Sequence, residues 1–167
     1  LMRQVRGLIE SISQFNRQIK ELFEKHPDYE VFHSFPGAGP ALGPRLLALF
    51  GSDRNRFLLV SEVQLLSGIA PVTDRSGKSH RVHWRWACCK FLRQSVQEFS
   101  EKSIQRSIWA RTCYDRLRAA GKSHYAALRV LGYKWIRIMF RCWKEHTPYD
   151  EQRYLAALRR RGSPLVK

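Results

Sequence analysis

The segment Asp74-Arg75-Ser76-Gly77-Lys78-Ser79-His80 sets two hydroxyls among cations. A serine hydroxyl becomes a nucleophile when nearby positive charge lowers the energy of its alkoxide. The same charge offsets what builds up on a pentacoordinate phosphorus. Arg75, Lys78 and Arg81 are the residues placed for this, with Ser76 or Ser79 as the hydroxyl. Taken alone, the pattern fits a humbler role equally well, since serines in basic loops commonly hydrogen-bond phosphate without reacting. Other chemistries have less to stand on. Between residues 31 and 167 the acids are few and scattered, and their one adjacent pair, Asp150-Glu151, reads as helix-start charge rather than part of a metal triad. The histidines form no His-Glu-x-x-His set and have no zinc spacing with the cysteines, so His80 and His83 read as phosphate or structural contacts. Cys88, Cys89, Cys113 and Cys142 lack metal-knuckle and thioredoxin spacing. They read as buried reduced thiols, which points to the cytoplasm. No metal or cofactor is expected on this chain.

A second candidate lies upstream. From Val31 to Leu47 the sequence gives an apolar helix end, a turn at Pro36-Gly37-Ala38-Gly39 and a second helix from about Pro40. That is the pattern of a helix-hairpin-helix, here about residues 31–50. Gly37 and Gly39 permit backbone angles other residues avoid and leave amides bare beside a helix start. Such amides hydrogen-bond a DNA phosphate without reading bases. A plain turn between two helices uses the same residues. Pro44 lacks a backbone donor, at small expected cost if it falls early in the second helix.

Elements must hold these groups in place. Leu1, Val5, Leu8, Ile12, Phe15, Ile19 and Leu22 step by four and three, a heptad seam. Residues 1–26 therefore read as a coiled-coil arm that makes homo-oligomers or links domains, or else as the last helix of an upstream domain. The chain starts in mid-pattern at Leu1, which predicts a piece of a longer protein. Ser61-Glu62-Val63-Gln64 reads as a capping box for a helix through Leu66, broken by Gly68-Ile69-Ala70-Pro71. The cations of residues 68–85, Arg85 among them, then fall in a basic stretch whose part from Thr73 to Val82 is an exposed loop or short hairpin. Helical spacing runs from Trp86 to about Ser103 and from Ile104 to Ala120, with Gly121 as a stop. Ser123 caps the next helix, where Leu128, Leu131, Trp135, Ile138 and Cys142 form the core stripe. Lys134, Arg137, Arg141 and Lys144 run beside it as a phosphate-tracking face or a merely solvated one. A last helix opens at Thr147-Pro148-Tyr149-Asp150 and ends in a basic tail, Arg159-Arg160-Arg161. The fold class is mainly α.

Composition narrows the partners. Thirty Lys and Arg against 14 Asp and Glu give 167 residues a net charge of +16. Such charge argues for a polyanion, because each neutralised phosphate releases counterions. A ribosomal-type protein or a membrane-surface binder would also be basic. Nucleic acid is favoured over membrane because the cations run through the whole chain, interleaved with Trp and Tyr. No apolar run approaches the roughly 20 residues that span a bilayer. Two readings stay beside catalysis: a helix-hairpin-helix DNA binder without chemistry, and a coiled-coil assembly module whose charge serves RNA.

Four stretches, in order, carry a resemblance: Ser34-Phe35-Pro36-Gly37-Ala38-Gly39-Pro40, Ser67-Gly68-Ile69-Ala70-Pro71-Val72-Thr73, Arg75-Ser76-Gly77-Lys78-Ser79 and Lys134-Trp135-Ile136-Arg137. Together they resemble the C-terminal transposase domain of an insertion-sequence family. That family joins an N-terminal RuvC-like domain, with a DEDD carboxylate set, to such a helical domain through a coiled coil. The resemblance covers about residues 30–165, with the seam of residues 1–26 where the family has its coiled coil. It implies DNA recombination by a serine nucleophile, guided by a structured RNA from the element's own end. In the family motif Gly-(Ile/Leu)-(Ala/Val)-Pro precedes a serine followed by glycine, which maps onto Ser76 and Gly77; Ser79 fits less well, and Ser67 occupies a place the motif does not demand. The resemblance also implies Mg²⁺ at the RuvC-like domain, which this sequence lacks, so the chain alone is expected to be inactive.

Overall fold

In the computed structural model, residues 2–83 and 85–166 are described, with the side chains of His80 and Arg81 outside that description. The described residues form eight helices: α1 (Met2–Glu24), α2 (Tyr29–His33), α3 (Gly39–Phe50), α4 (Val60–Leu66), α5 (Lys90–Ile104), α6 (Ile108–Ala119), α7 (His124–Lys144) and α8 (Glu151–Arg160). One antiparallel hairpin, β1 (Val72–Ser76) and β2 (Ser79–His83), interrupts them. The fold is mainly α, as the periodicities predict. No described helix is long and apolar enough to cross a membrane.

The core is built on α7. Its first turn is capped by Ser123, whose Oγ accepts from the Ala126 amide at 3.3 Å. Leu128, Leu131, Trp135 and Cys142 are buried as the stripe requires, while Ile138 is only partly so. Ile136, Met139 and Trp143 are buried too, because α4, α5 and α6 all pack on this helix. Gly132 brings α5 close: a Cβ there would lie 3.1 Å from Val96 and 3.0 Å from the Ser100 hydroxyl. Helix α5 meets it with small buried serines, Ser95, Ser100 and Ser103, each donating to a carbonyl of its own helix. Each buried indole among the described residues finds an acceptor: Trp135 on Ser103 Oγ at 2.8 Å, Trp109 on the Tyr149 hydroxyl at 2.9 Å and Trp143 on the Gly51 carbonyl at 2.8 Å.

Several expectations shift. Helix α5 begins at Lys90, not Trp86; residues 86–88 bend, and Trp86 is 86% exposed. The α5–α6 break falls at 105–107, where Ser107 starts α6 and its Oγ accepts from Ala110 at 3.4 Å. Ser61 is not a cap. The cap falls two residues earlier, at Leu59, α4 starts at Val60, and the Glu62 carboxylate accepts from the amides of Leu58 and Leu59 at 2.7 and 3.2 Å. Pro44 lies in the second turn of α3, where its ring removes a donor within the helix. Cys113 and Cys142 are buried thiols, but Cys89 is exposed and Cys88 half-exposed.

Helix α1 joins the body through its last turn. Phe23 is its one buried residue, and its ring fills the space a side chain at Gly43 would need. Leu8, Ile12, Phe15 and Leu22 of the heptad seam are each more than half exposed. Past α1, Asp28 ties three segments together. Its buried carboxylate accepts from both terminal nitrogens of Arg54 and from His146 Nδ1 at 2.9 Å. The Arg54 guanidinium also lies 4.9 Å over the Trp143 ring. Burial pushes the Asp28 carboxyl up, but its bonds and charge interactions with Arg54 and His146 outweigh this and hold it below its usual value. The stability it contributes is therefore present at neutral pH and lost as pH falls below about 4. Asp28→Asn should cost about 1.5–3 kcal/mol at pH 7 and show a smaller loss of stability on acidification. Urea unfolding at pH 7 and pH 3 measures both; equal midpoints for variant and parent at pH 7 would sink the assignment.

Candidate nucleic-acid interface and serine hairpin

The hairpin turns at Gly77-Lys78, flanked by the paired residues Ser76 and Ser79. Gly77 has φ +54° and Lys78 does not have positive φ, the sign pattern of a type II′ turn, in which the first position favours glycine. This settles the stretch after Pro71 as a hairpin rather than a loop. Its strands pair with each other and pack on no helix to a comparable extent. Ser76 is thus exposed at the far end of an arm. Alternation along β1 puts Ser76 and Asp74 on one face and Arg75 on the other. On the serine's face Asp74 pairs with His83 Nε2 at 3.0 Å. Lys78 is exposed in the turn, and the side chain of Arg81, whose backbone pairs with Asp74, lies outside the described residues. Sequence proximity had grouped Arg75 with Ser76; the pleat separates them.

The base of the hairpin is fixed more firmly than its tip. Gln64 is buried, and its backbone carbonyl accepts from the amides of Ile69 and Ala70 at 3.1 and 3.0 Å. Its side chain donates to the Tyr133 carbonyl of α7 at 3.2 Å. On the return, the Cys89 amide donates to Leu66 at 3.2 Å. Gly68, at φ +66°, is pressed by Cys88, whose Sγ would sit 2.4 Å from a Cβ. Between this base and the first half of α7 lies a pocket of about 370 Å³, lined in part by Ile69, Pro71, Arg85, Lys122, Val130 and Tyr133. Arg129 of α7 also lines it, and burial holds this guanidinium below its usual pKa.

The second half of α7 faces a different concavity. Helix α8 folds back beside it, and a groove of about 640 Å³ runs between them. Lys134, Arg137 and Arg141 line one wall; Arg153, Arg160 and Arg161 line the other. The groove's acids are largely engaged: Glu145 accepts from Arg141 Nε at 2.9 Å, and Asp150 caps α8 by accepting from the Arg153 amide at 3.0 Å. Glu151 holds α8 to the core, accepting from the Tyr149 and Ser107 hydroxyls at 2.6 and 2.8 Å. Lys144, counted with the basic stripe, instead lies over Trp143 and donates to the Arg54 carbonyl. Arg160 and Arg161, read from sequence as a tail, are therefore groove walls, and Arg153 was missed. The signal was there: residues 153 and 160 lie seven apart, two helical turns on one face.

The turn between α2 and α3 carries Gly37, and Gly39 opens α3. Gly37, at φ +91°, presses on α5, where a Cβ would meet Lys102 within 3.1–3.3 Å. Gly39, at φ +55°, is exposed with open space around it. One glycine is thus required by packing, and the other presents backbone to solvent. Among the described residues no three His, Cys, Asp or Glu side chains come together as a metal site.

Comparison with known proteins places these features in a family. The chain is 33% identical to the "Mini-circle putative transposase for IS117" of Streptomyces coelicolor over 95% of its own length and 38% of that protein. It is 28% identical to the IS900 uncharacterized 42 kDa protein of Mycobacterium paratuberculosis over 94% of its length and 40% of the relative. The IS110 uncharacterized 43.6 kDa protein of Streptomyces coelicolor shares 32% identity over 81% of the chain and 33% of the relative. The chain therefore spans two fifths or less of these relatives. Residues 29–115, which hold the glycine turn, the serine hairpin and the α5 face that packs on Gly132, match the model of the IS116/IS110/IS902 transposase family, and the chain belongs to that family.

Proposed function

We propose that this chain is the DNA-binding, serine-bearing part of a transposase in which Ser76 attacks the DNA backbone. The observation that carries this is the presentation of Ser76, exposed at the tip of a hairpin whose strands pair mainly with each other, in a chain of charge +16. Ser76 Oγ forms a bond to the phosphorus of one phosphodiester, and the bond from that phosphorus to a deoxyribose oxygen breaks. The hydroxyl proton passes to solvent and the released oxygen takes one up. A sugar hydroxyl of another strand then attacks the phosphoserine, which rejoins DNA and restores the serine. Phosphoester bonds are conserved at each step, so strand exchange needs no ATP. The bound strand is held by Lys78, Arg85 and the α7–α8 groove, with Gly39 offering backbone to a further phosphate. A structured RNA from the element's end guides the reaction, and Mg²⁺ is held by carboxylates outside this chain. No step above runs through that ion. Two copies join through the seam of α1.

Three outcomes test this. In cells carrying the element, Ser76→Ala in the complete gene product should abolish excision and insertion while DNA binding persists; undiminished transposition would leave a DNA binder without chemistry. Replacing Arg137, Arg153 and Arg160 with Gln should lower the slope of log K against log salt for duplex DNA by about 2–3, near 0.9 per lost phosphate contact. An unchanged slope would make the groove a solvated surface. Ile12→Lys with Phe15→Lys should bring the sedimenting species down to the 19.6 kDa of one chain. An assembly that survives both changes is not held by α1.

A further inference from the structure

We propose that the pocket between the hairpin base and α7 takes one unstacked nucleobase of a single strand, with the sugar-phosphate held at its rim by Arg85 and Lys122. This rests on the nucleic-acid reading above and adds a site to it. The lining is largely apolar, with Ile69, Pro71, Val130 and the Tyr133 ring, and His83, Arg85, Lys122 and Arg129 add its polar groups. At about 370 Å³ the cavity has the size of a small-molecule site and not of a groove for a helix. An apolar, ring-bearing floor beneath cations is how proteins hold the bases of single strands, by stacking and by charge. Paired bases are stacked inside a duplex and offer no face to such a pocket. Arg85 supplies the second observation. Its Nε is buried yet has no hydrogen-bond partner among the described residues. Buried donors in folded proteins are nearly always paired, and a guanidinium edge matches a phosphate or the acceptors of a base.

The pocket is also in line with the other surfaces. Ala126, Val130 and Tyr133 line it, and the same side of α7 continues at Lys134, Arg137 and Arg141 into the groove. At 1.5 Å per residue, Val130 and Arg141 are about 16 Å apart along the axis. A strand leaving the pocket therefore meets cations along α7. In the other direction, His83 lines the pocket and pairs with Val72, four residues down β1 from Ser76. Four strand residues span about 14 Å. The base in the pocket is then a few nucleotides from the phosphate that Ser76 meets. Its role is to fix the register of the strand against the serine, a positioning role.

The test compares a single-stranded oligonucleotide with an abasic strand of the same length, as deoxy and ribo pairs, on the complete chain. The parent should favour the base-bearing strand by about tenfold or more. Ala126→Phe, which fills the pocket from α7, should bring that ratio close to one, with a thermal melt confirming the fold. Val82→Trp, filling it from the exposed face of β2 (Val82 is 56% exposed), should do the same independently. The sugar series that shows the ratio and loses it tells whether the base comes from DNA or RNA. A ratio that survives both fillings places base contacts elsewhere and overturns the pocket, as does a ratio of one in the parent with salt-dependent binding intact. Absence of salt-dependent binding to any strand overturns the nucleic-acid reading itself, and the pocket with it.

Discussion

The close approach of α5 and α7 at Gly132 is the constraint on which the other features hang. Without a side chain there, Val96 and Ser100 reach the α7 backbone. That contact sets the depth at which Trp135 enters the core, where its indole meets Ser103 on the next turn of α5. Around Trp135 stand Phe35, Phe99, Trp109 and Tyr149, with ring centres 4.5–6.2 Å away. These rings come from the α2–α3 turn, α5, α6 and the segment just before α8. One helix pair thereby locates the glycine turn, α6 and α8 relative to α7. Ile69 touches the same point, its Cδ1 3.8 Å from where a Gly132 Cβ would sit. The hairpin base is located by the same packing.

Helix α7 separates two jobs that conflict in a small basic protein. A core needs apolar surface removed from water, whereas a polyanion site needs cations left in it. The 21 residues of α7 give one side to Leu131, Trp135 and Met139 and another to Arg137 and Arg141. Arg54 shows a different solution. Its charge is turned inward, neutralised by Asp28 and covered by Trp143, so it braces the loop after α3 instead of adding to the outer field. The cations that line the α7–α8 groove lie on elements already fixed by packing. Little reorganisation is then needed when phosphates replace counterions.

What was legible in the sequence was what obeys a local period. The α1 seam, the Ser123 cap and the α7 stripe each follow from residues within one helix, and local spacing determines them. The candidate site was legible only in part. Ser76, Lys78 and the α7 cations are where the pattern points, but Arg153, Arg160 and Arg161 join them only because α8 folds back, a long-range event set by Tyr149 and Glu151. Trp86 failed for the opposite reason. Its spacing suits a helix, yet Cys89 is drawn to the Leu66 carbonyl and the chain must first turn back from the hairpin. Arg75 was grouped with Ser76 by adjacency, and adjacency in a strand means opposite faces.

The separation of Arg75 from Ser76 shapes how the serine acts in the proposed reaction. With Arg75 turned away, Lys78 is the described cation placed in the turn beside Ser76. The nearest described acid on the serine's own face is Asp74, two residues down the strand, about 7 Å by strand rise and already engaged with His83. Neither is a base within hydrogen-bonding reach of the hydroxyl, the geometry that general-base activation needs. In the proposed mechanism the hairpin presents the nucleophile, and among the described residues neither Lys78 nor Asp74 serves as its base. Under that proposal a serine without a base beside it stays a weak nucleophile until further groups complete the site. An exposed tip turned by Gly77 then suits the proposed reaction, since the serine stays open to the groups that complete its site.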